Sequence, residues 1–320
     1  MKESPTINIV RYEPSLKDSW NNFVVHSRNG TFLLQREFMD YHAHRFMDHS
    51  LMFYKGAELV ALLPAERSES ALWSHRGLTY GGLLLAPKTT AATTLQVVTA
   101  FIDFLRVHTS INKFVFSPVP AFYATYPCEE ERYAFFRHGA VRTQCKLSSV
   151  IPLAERYPYA NLRRRKIRSF EKSGLQIVED ERFDLFWAVL AENLQQRHHT
   201  NPVHTVEEIA LLHRRFPEHI RLHRVTNNAG QTIAGAVVFE TTTTAHVQYI
   251  ASTDEGRNSG ALDGLFDHLI GARYAHKRYF DFGISVEQGG WVLNEGLIHQ
   301  KEGFGARGAV YETYEITIQR

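Results

Sequence analysis

The sequence predicts a mixed α/β fold arranged as two domains, residues 1–155 and 156–320. Three observations carry that expectation. The second half reads as three consecutive strands, a glycine-containing loop, a helix, a strand, a helix and a strand. Both halves pass through a comparable mixture of amphipathic helices and β-rich segments. The length of 320 residues amounts to two domains at roughly 100–200 residues each.

In the first half, Thr6–Tyr12 alternates as a strand does, and Leu16–Ser27 places Leu16, Trp20, Phe23 and Val24 at helical spacing. Ser50–Lys55 and Glu58–Pro64 are apolar runs split by a Lys55-Gly56-Ala57-Glu58 hairpin signal. Thr93–His108 lines Leu95, Val98, Phe101, Ile102 and Leu105 along one helical face, and Phe114–Ser117 reads as a buried strand. Between them, Ser74–Leu83 holds three glycines, which marks a turn or a backbone that approaches something closely.

The second half opens on Asn161–Ser173, a helix bearing Arg163, Arg164, Arg165, Lys166, Arg168 and Lys172 and stopped by Gly174. Arg164, Arg168 and Lys172 share one face. A strand at Gln176–Glu179 and helices at Phe183–Gln196 and Val206–Phe216 follow. Ile220–Thr226 and Thr232–Glu240 flank the turn Asn227–Gly230, and Ala245–Ser252 is a third strand. Asp254–Gly260 reads as a loop, followed by a helix Ala261–Ala275, a strand Tyr279–Ile284, a helix Leu293–Glu302 and a strand Val310–Ile318.

Composition excludes several classes. With 44% hydrophobic and 22% charged residues the chain is an ordinary water-folding protein, not a disordered or collagenous one. Two cysteines, Cys128 and Cys145, make neither a secreted framework nor a C-x-x-C pair, and they are expected to be reduced thiols in a cytoplasmic protein. The N-terminus lacks the apolar run of a signal peptide, and no stretch is long enough to span a membrane. A net charge of +2 excludes a globally basic nucleic-acid binder. Residues 1–150 carry 16 basic against 13 acidic side chains and residues 151–320 carry 20 against 21, so the helix at 163–172 is the one concentrated cationic run. His198-His199 and the other histidines show no H-E-x-x-H or Cys/His cluster, so no metal site is expected. Gly283-Ile284-Ser285-Val286-Glu287 lacks the second glycine of a hydrolase nucleophile elbow.

Chemistry concentrates at three places. Arg257, Asn258, Ser259 and Gly260 lie between a strand and a helix, where free N–H groups and an arginine suit a phosphate. The cationic stripe Arg164, Arg168 and Lys172 suits the phosphates of a nucleotide, a lipid-linked sugar or RNA. The run from Phe280 to Gly305 puts Asp281, Ser285, Glu287, Asn294 and Lys301 at and beyond a strand's C-terminal end, where α/β sheets place ligands. There Lys301 could stabilise an anionic carbonyl oxygen, and Glu287 could take or relay a proton.

As a set, His246–Ser252, Arg257-x-x-Gly260-Ala261-Leu262, Phe280–Ser285, Leu293–Leu297 and Lys301-Glu302-Gly303-Phe304-Gly305 resemble the Fem-like branch of the GNAT acyltransferase superfamily. The segments His75–Leu83 and Arg163–Arg168 also fit, so the resemblance covers nearly the whole chain. It implies tandem GNAT-like domains, with the better-preserved acyl-donor topology in the second. It also implies transfer of an acyl or aminoacyl group to an amine or hydroxyl by direct attack, with acyl-CoA or aminoacyl-tRNA as co-substrate and no metal. The implied acceptor is a small or lipid-linked molecule with phosphate groups, such as a cell-envelope precursor. Lys301 matches the lysine implicated in stabilising the reacting carbonyl. On this reading Lys301, Glu287 and Tyr249 are catalytic, Arg257, Asn258, Ser259, Gly260 and Asn294 hold the donor, and Arg164, Arg168, Lys172, Tyr80, Asp281 and Ser285 hold the acceptor. Leu262 stands where the GNAT pyrophosphate loop has a small residue, and no heptad run marks a tRNA-holding coiled coil. A peptidoglycan-type aminoacyltransferase using charged tRNA, and a non-catalytic module that binds a phosphorylated ligand, are the alternatives.

Overall fold

The computed structural model describes residues 6–198 and 200–319. It divides into two compact units, Met1–Lys146 with Val310–Arg320, and Leu147–Ala309. Where the sequence reading divides the chain at 155/156, the contacts divide it at 146/147, inside a strand. No proline- or glycine-rich linker marks the passage, because the chain continues in extended conformation through it.

In the first unit, β1 (Ile7–Arg11) pairs antiparallel with β2 (Leu51–Lys55), which pairs with β3 (Glu58–Leu63) through the expected hairpin. Helix α1 (Lys17–His26) buries Trp20, Phe23 and Val24. Helix α2 (Ala91–His108) is capped by Thr90, whose side chain accepts from the Thr93 N–H. Its apolar face sets Phe101 edge-on to Phe53 and to Phe114 of β4 (Lys113–Phe116). Helix α3 (Glu130–Arg137) and the twelve-residue strand β5 (Val141–Pro152) carry no clear period and are additions to the sequence reading.

Helix α3 places Glu131 in the core, where its carboxyl accepts from the Leu83 N–H at 2.8 Å. Burial pushes this carboxyl up to about 8. Between about 4.5 and about 8 the unfolded chain has lost a proton that the folded chain keeps, so this group's stabilisation is lost as pH rises. Glu131→Gln keeps the acceptor and removes the titration. It is expected to raise the melting temperature more at pH ~8 than at pH ~5 relative to wild type. Equal shifts at both pH values would mean the carboxyl is ionised in the fold.

In the second unit, α4 (Asn161–Glu171) leads to β6 (Gln176–Asp180), α5 (Phe183–His198) and α6 (Val206–Arg215), the last held by a Thr205/Glu208 capping box. Strands β7 (Ile220–Thr226), β8 (Thr232–Glu240) and β9 (Thr244–Ser252) form an antiparallel run with β6. The expected loop at Asp254–Gly260 is instead a short helix, α7 (Asp254–Ser259), ended by Gly260 in the left-handed conformation. Thr253 caps it by accepting from the Gly256 N–H, and Asp254 and Glu255 in the first turn favour the helix dipole. Helix α8 (Ala261–His268) runs into a wider π turn at Leu269–Arg273, where one continuous helix was expected.

The next strand, β10 (Tyr279–Ile284), lies parallel to β9 and antiparallel to the end of β5. A small hairpin, β11 (Val286–Glu287) and β12 (Val292–Leu293), then enters α9 (Glu295–Glu302), and β13 (Arg307–Thr317) follows. The unit's core packs Val247 of β9, Phe280 and Phe282 of β10, Leu265 and Phe266 of α8, and Phe304. The described β9–β10 pairing is limited to Thr244–His246 against Tyr279–Asp281. Both strands run on beyond it, and such a parting of parallel strands leaves ladder groups open to a ligand.

Candidate active site

Two irregularities sit where β9 and β10 part. In β9 an extra residue, Gln248, separates the pairs Val237–Tyr249 and Val238–Val247. In β10 an extra residue lies between Asp281, opposite Val150, and Ile284, opposite Ser148. The β10 bulge needs Gly283, whose φ of +75° is strained for any residue with a Cβ.

That bulge organises the charged groups. The Asp281 carboxylate is fully buried and accepts from the Gly283 N–H at 2.9 Å, the Ser148 hydroxyl at 2.5 Å and His246 Nδ1 at 2.8 Å. A buried carboxylate is tolerated only with such partners. With Nδ1–H donating to Asp281, the His246 Nε2 is the basic nitrogen of the ring. The Gly283 and Ile284 carbonyls accept from Lys301 Nζ at 2.7 and 2.8 Å. Lys301 projects from α9 and is 7% exposed. Burial pushes its ammonium down to about 8, and the Asp281 carboxylate opposes that shift. A cation, a proton-accepting imidazole and its orienting carboxylate therefore meet on one strand end, the set that attack of an amine on a carbonyl requires.

The sequence-predicted residues fall into separate groups. Lys301 and Asp281 lie at the same strand end, Lys301 on the Gly283 and Ile284 carbonyls and Asp281 on the Gly283 N–H. Ser285 lies beside them in the chain, buried, with a hydroxyl that has no partner among the described residues. Glu287 and Asn294 meet each other instead: Asn294 caps α9 by accepting from the Leu297 N–H at 3.0 Å and donates to exposed Glu287 at 3.2 Å. Tyr249 is buried against Trp187, its hydroxyl 2.5 Å from His204 Nδ1. Tyr80 lies in the first unit's interior, its ring against Tyr123 and its hydroxyl 3.1 Å from Thr31 Oγ1, a packing position.

The phosphate loop is the main correction. Arg257, Asn258 and Ser259 are residues of α7, not of a loop. The Arg257 guanidinium is held by Asp254 and the Ser252 carbonyl, and the Ser259 hydroxyl donates to the Glu255 carbonyl. The first turn holds two carboxylates, Asp254 on Arg257 and Glu255 on Asn227. Arg164, Arg165, Arg168 and Lys172 are exposed on α4, whose inner side packs Ile167, with Arg163 on Asp263 at 2.6 Å and Lys166 on the Arg257 carbonyl.

Sequence reasoning missed His246 and Ser148 as partners of Asp281. They lie 35 and 133 residues away, and only strand pairing joins them. Among the described residues no three His, Cys, Asp or Glu side chains converge as a metal set, and no helix is long and apolar enough to cross a membrane. His199 of the His198-His199 pair lies outside the described residues.

Residues 160–289 match the acetyltransferase (GNAT) domain family. No curated protein matches the chain in sequence. Among solved structures it is similar to FemX, with TM-score 0.69, 11% identity and 97% of each chain covered. It is also similar to the C-terminal domain of a protein described as a lysylphosphatidylglycerol synthetase from Agrobacterium fabrum, with TM-score 0.59, 11% identity and 95% and 92% covered. A tandem GNAT protein from the clavulanic acid biosynthesis pathway follows, with TM-score 0.51, 12% identity and 98% and 99% covered. Residues 160–289 thus match the GNAT domain family, and the chain as a whole has the fold of FemX and of a tandem GNAT protein.

Proposed function

We propose that this protein is a cytoplasmic acyl- or aminoacyltransferase whose acceptor is an amine or hydroxyl on a phosphate-bearing, lipid-linked cell-envelope component. The observation that carries this reading is the convergence of Lys301 and the His246–Asp281 pair where β9 and β10 part. The acceptor nitrogen or oxygen attacks the donor carbonyl carbon and gives its proton to His246 Nε2. The Lys301 ammonium balances the charge growing on the carbonyl oxygen. The tetrahedral adduct then collapses, the bond to the leaving group breaks, and that group takes the proton from the imidazolium. The buried Ser285 hydroxyl, without a partner among the described residues, supplies a further hydrogen bond to substrate. The likeness to a lysylphosphatidylglycerol synthetase supports a lipid acceptor.

The α7 turn favours an aminoacyl ester of tRNA over acyl-CoA as donor. At the α7–α8 junction Arg257 is already paired with Asp254 and the Ser252 carbonyl, and the Lys166 backbone of α4 lies against Gly260, which leaves a pyrophosphate neither a free arginine nor an open turn. The test supplies radiolabelled aminoacyl-tRNA or radiolabelled acetyl-CoA, together with total polar lipid or nucleotide-linked peptidoglycan precursor. Label is expected to pass from charged tRNA and not from acetyl-CoA. Transfer from acetyl-CoA alone would reverse the donor assignment, and transfer from neither would remove the enzymatic reading.

A further inference from the structure

The β11–β12 hairpin has a feature that the chemistry above does not use. Its tip, Gln288-Gly289-Gly290, holds three successive left-handed φ angles of 49°, 69° and 111°. Such angles are inexpensive at the two glycines and costly at Gln288, and the turn leads directly into Trp291. That side chain is 87% exposed. Around it Val292, Leu293, Leu297 and Ile284 are exposed too, all within the second unit. A tryptophan left in water forgoes one of the largest burial gains of any side chain, so a cluster of this kind marks an interaction surface.

The neighbouring charge identifies the partner. The hairpin enters the N-terminal end of α9, and α4 packs on the other end, where the Ala160 N–H donates to the Gly303 carbonyl at 2.8 Å and Arg163 lies over the Phe304 ring at 5.6 Å. The outward arc of α4 holds Arg164, Arg165, Arg168 and Lys172, and among the described residues none of the four has a carboxylate partner. Glu171, exposed on the same helix, also makes no ion pair there. Tyr157 and Leu162 add exposed apolar surface beside these cations. Cations without carboxylate partners beyond one end of α9 and an aromatic and aliphatic tip, flanked by exposed Glu287 and Glu295, at the other complement a bilayer interface, with phosphate charge at the headgroups and apolar depth beneath them.

We propose that the second unit docks on an anionic lipid surface, with Trp291 and its apolar neighbours entering the headgroup region and the α4 cations lying against lipid phosphates. Lys301 lies on α9, between the hairpin that leads into that helix and Gly303–Phe304, on which the start of α4 rests, so docking holds the active site near a lipid acceptor. Only that last consequence rests on the proposed function; the docking itself requires no turnover.

The test sediments the full chain with vesicles of phosphatidylcholine containing about 30% phosphatidylglycerol, and with phosphatidylcholine alone. Binding is expected to the anionic vesicles only, and to be lost at about 0.5 M salt. The triple charge reversal R164E/R165E/R168E is expected to weaken it at least about 100-fold, and Trp291→Ser about tenfold, with melting temperatures unchanged. Brominated lipid should quench the wild-type tryptophan fluorescence, and Trp291→Phe should remove that quenching, because Trp20 and Trp187 are buried and the half-buried Trp73 belongs to the first unit, with Arg76 over its ring. No vesicle binding, equal binding to both vesicle types, or binding indifferent to either variant would overturn the proposal, whatever the acyl-transfer assays give. Absence of vesicle binding would hand the surface to a protein partner.

Discussion

Lys301→Met is expected to lower the rate of acyl transfer from charged tRNA about 10²–10³-fold, with the loss in kcat and not in donor KM, because the ammonium is needed only as charge develops on the carbonyl oxygen. The replacement keeps the unbranched stem, one atom shorter, and removes the charge. Two effects on the fold oppose each other: the Gly283 and Ile284 carbonyls lose a donor, and a buried cation no longer needs accommodation. The melting temperature is therefore expected to move by no more than about a few degrees. The pH profile is the sharper check. Burial pushes the Lys301 ammonium down to about 8, so the protonated form that the mechanism uses is present below that pH and disappears above it. Wild-type kcat/KM should fall about tenfold per unit at alkaline pH, and the variant should show no such limb. A wild-type rate flat to pH ~9.5 would take the ammonium out of the mechanism.

Asp281→Asn is expected to cost about 10²–10⁴ in rate with the fold retained, because the amide nitrogen cannot accept the proton that His246 Nδ1 donates. The imidazole would then turn to the other tautomer, with its proton on Nε2, where the acceptor needs a base. Two-bond ¹H–¹⁵N correlation spectra of the histidines should show His246 exchanging its protonated nitrogen between wild type and variant. Since the two side chains act as a unit, the His246→Gln/Asp281→Asn double variant should be no slower than the worse single one. Additive losses would mean that Asp281 acts only through packing. Asp281→Ala should be worse for stability than Asp281→Asn, by about 1–3 kcal/mol, because the Ser148 hydroxyl and Gly283 N–H lose their acceptor in a buried place. Chemical denaturation of the two variants checks this.

Periodicity located helices at 93–108, 183–196 and 206–216, found at 91–108, 183–198 and 206–215, because each has one apolar face that must be buried, and such a face is a local property of the chain; the helix read at 161–173 from its basic run and the Gly174 stop is found at 161–171. Periodicity gave the order of strands in the second unit for the same reason. It did not give β5, whose outer residues Val141–Gln144 are exposed, so no alternation singles the strand out. It misread Asp254–Gly260 because two glycines suggested a loop. The cap at Thr253 and the acidic first turn were the signals that could have corrected this.

Lys301 and Asp281 were legible as chemistry because a charged residue beside an otherwise apolar strand end is conspicuous in the sequence. His246 was not, since one histidine among 17 has nothing local to distinguish it. Residue type and spacing along the chain thus determined the α/β class, the helix faces, the cationic run and two of the three charged groups at the site. Tertiary structure alone decided which of these groups act together. Parallel pairing of β9 with β10 sets His246 on Asp281, the turn at Gly283 aims two carbonyls at Lys301, and burial lowers that lysine's proton affinity. Distances in space and the loss of water around a charge are fixed by contacts between remote segments, and no local pattern encodes either.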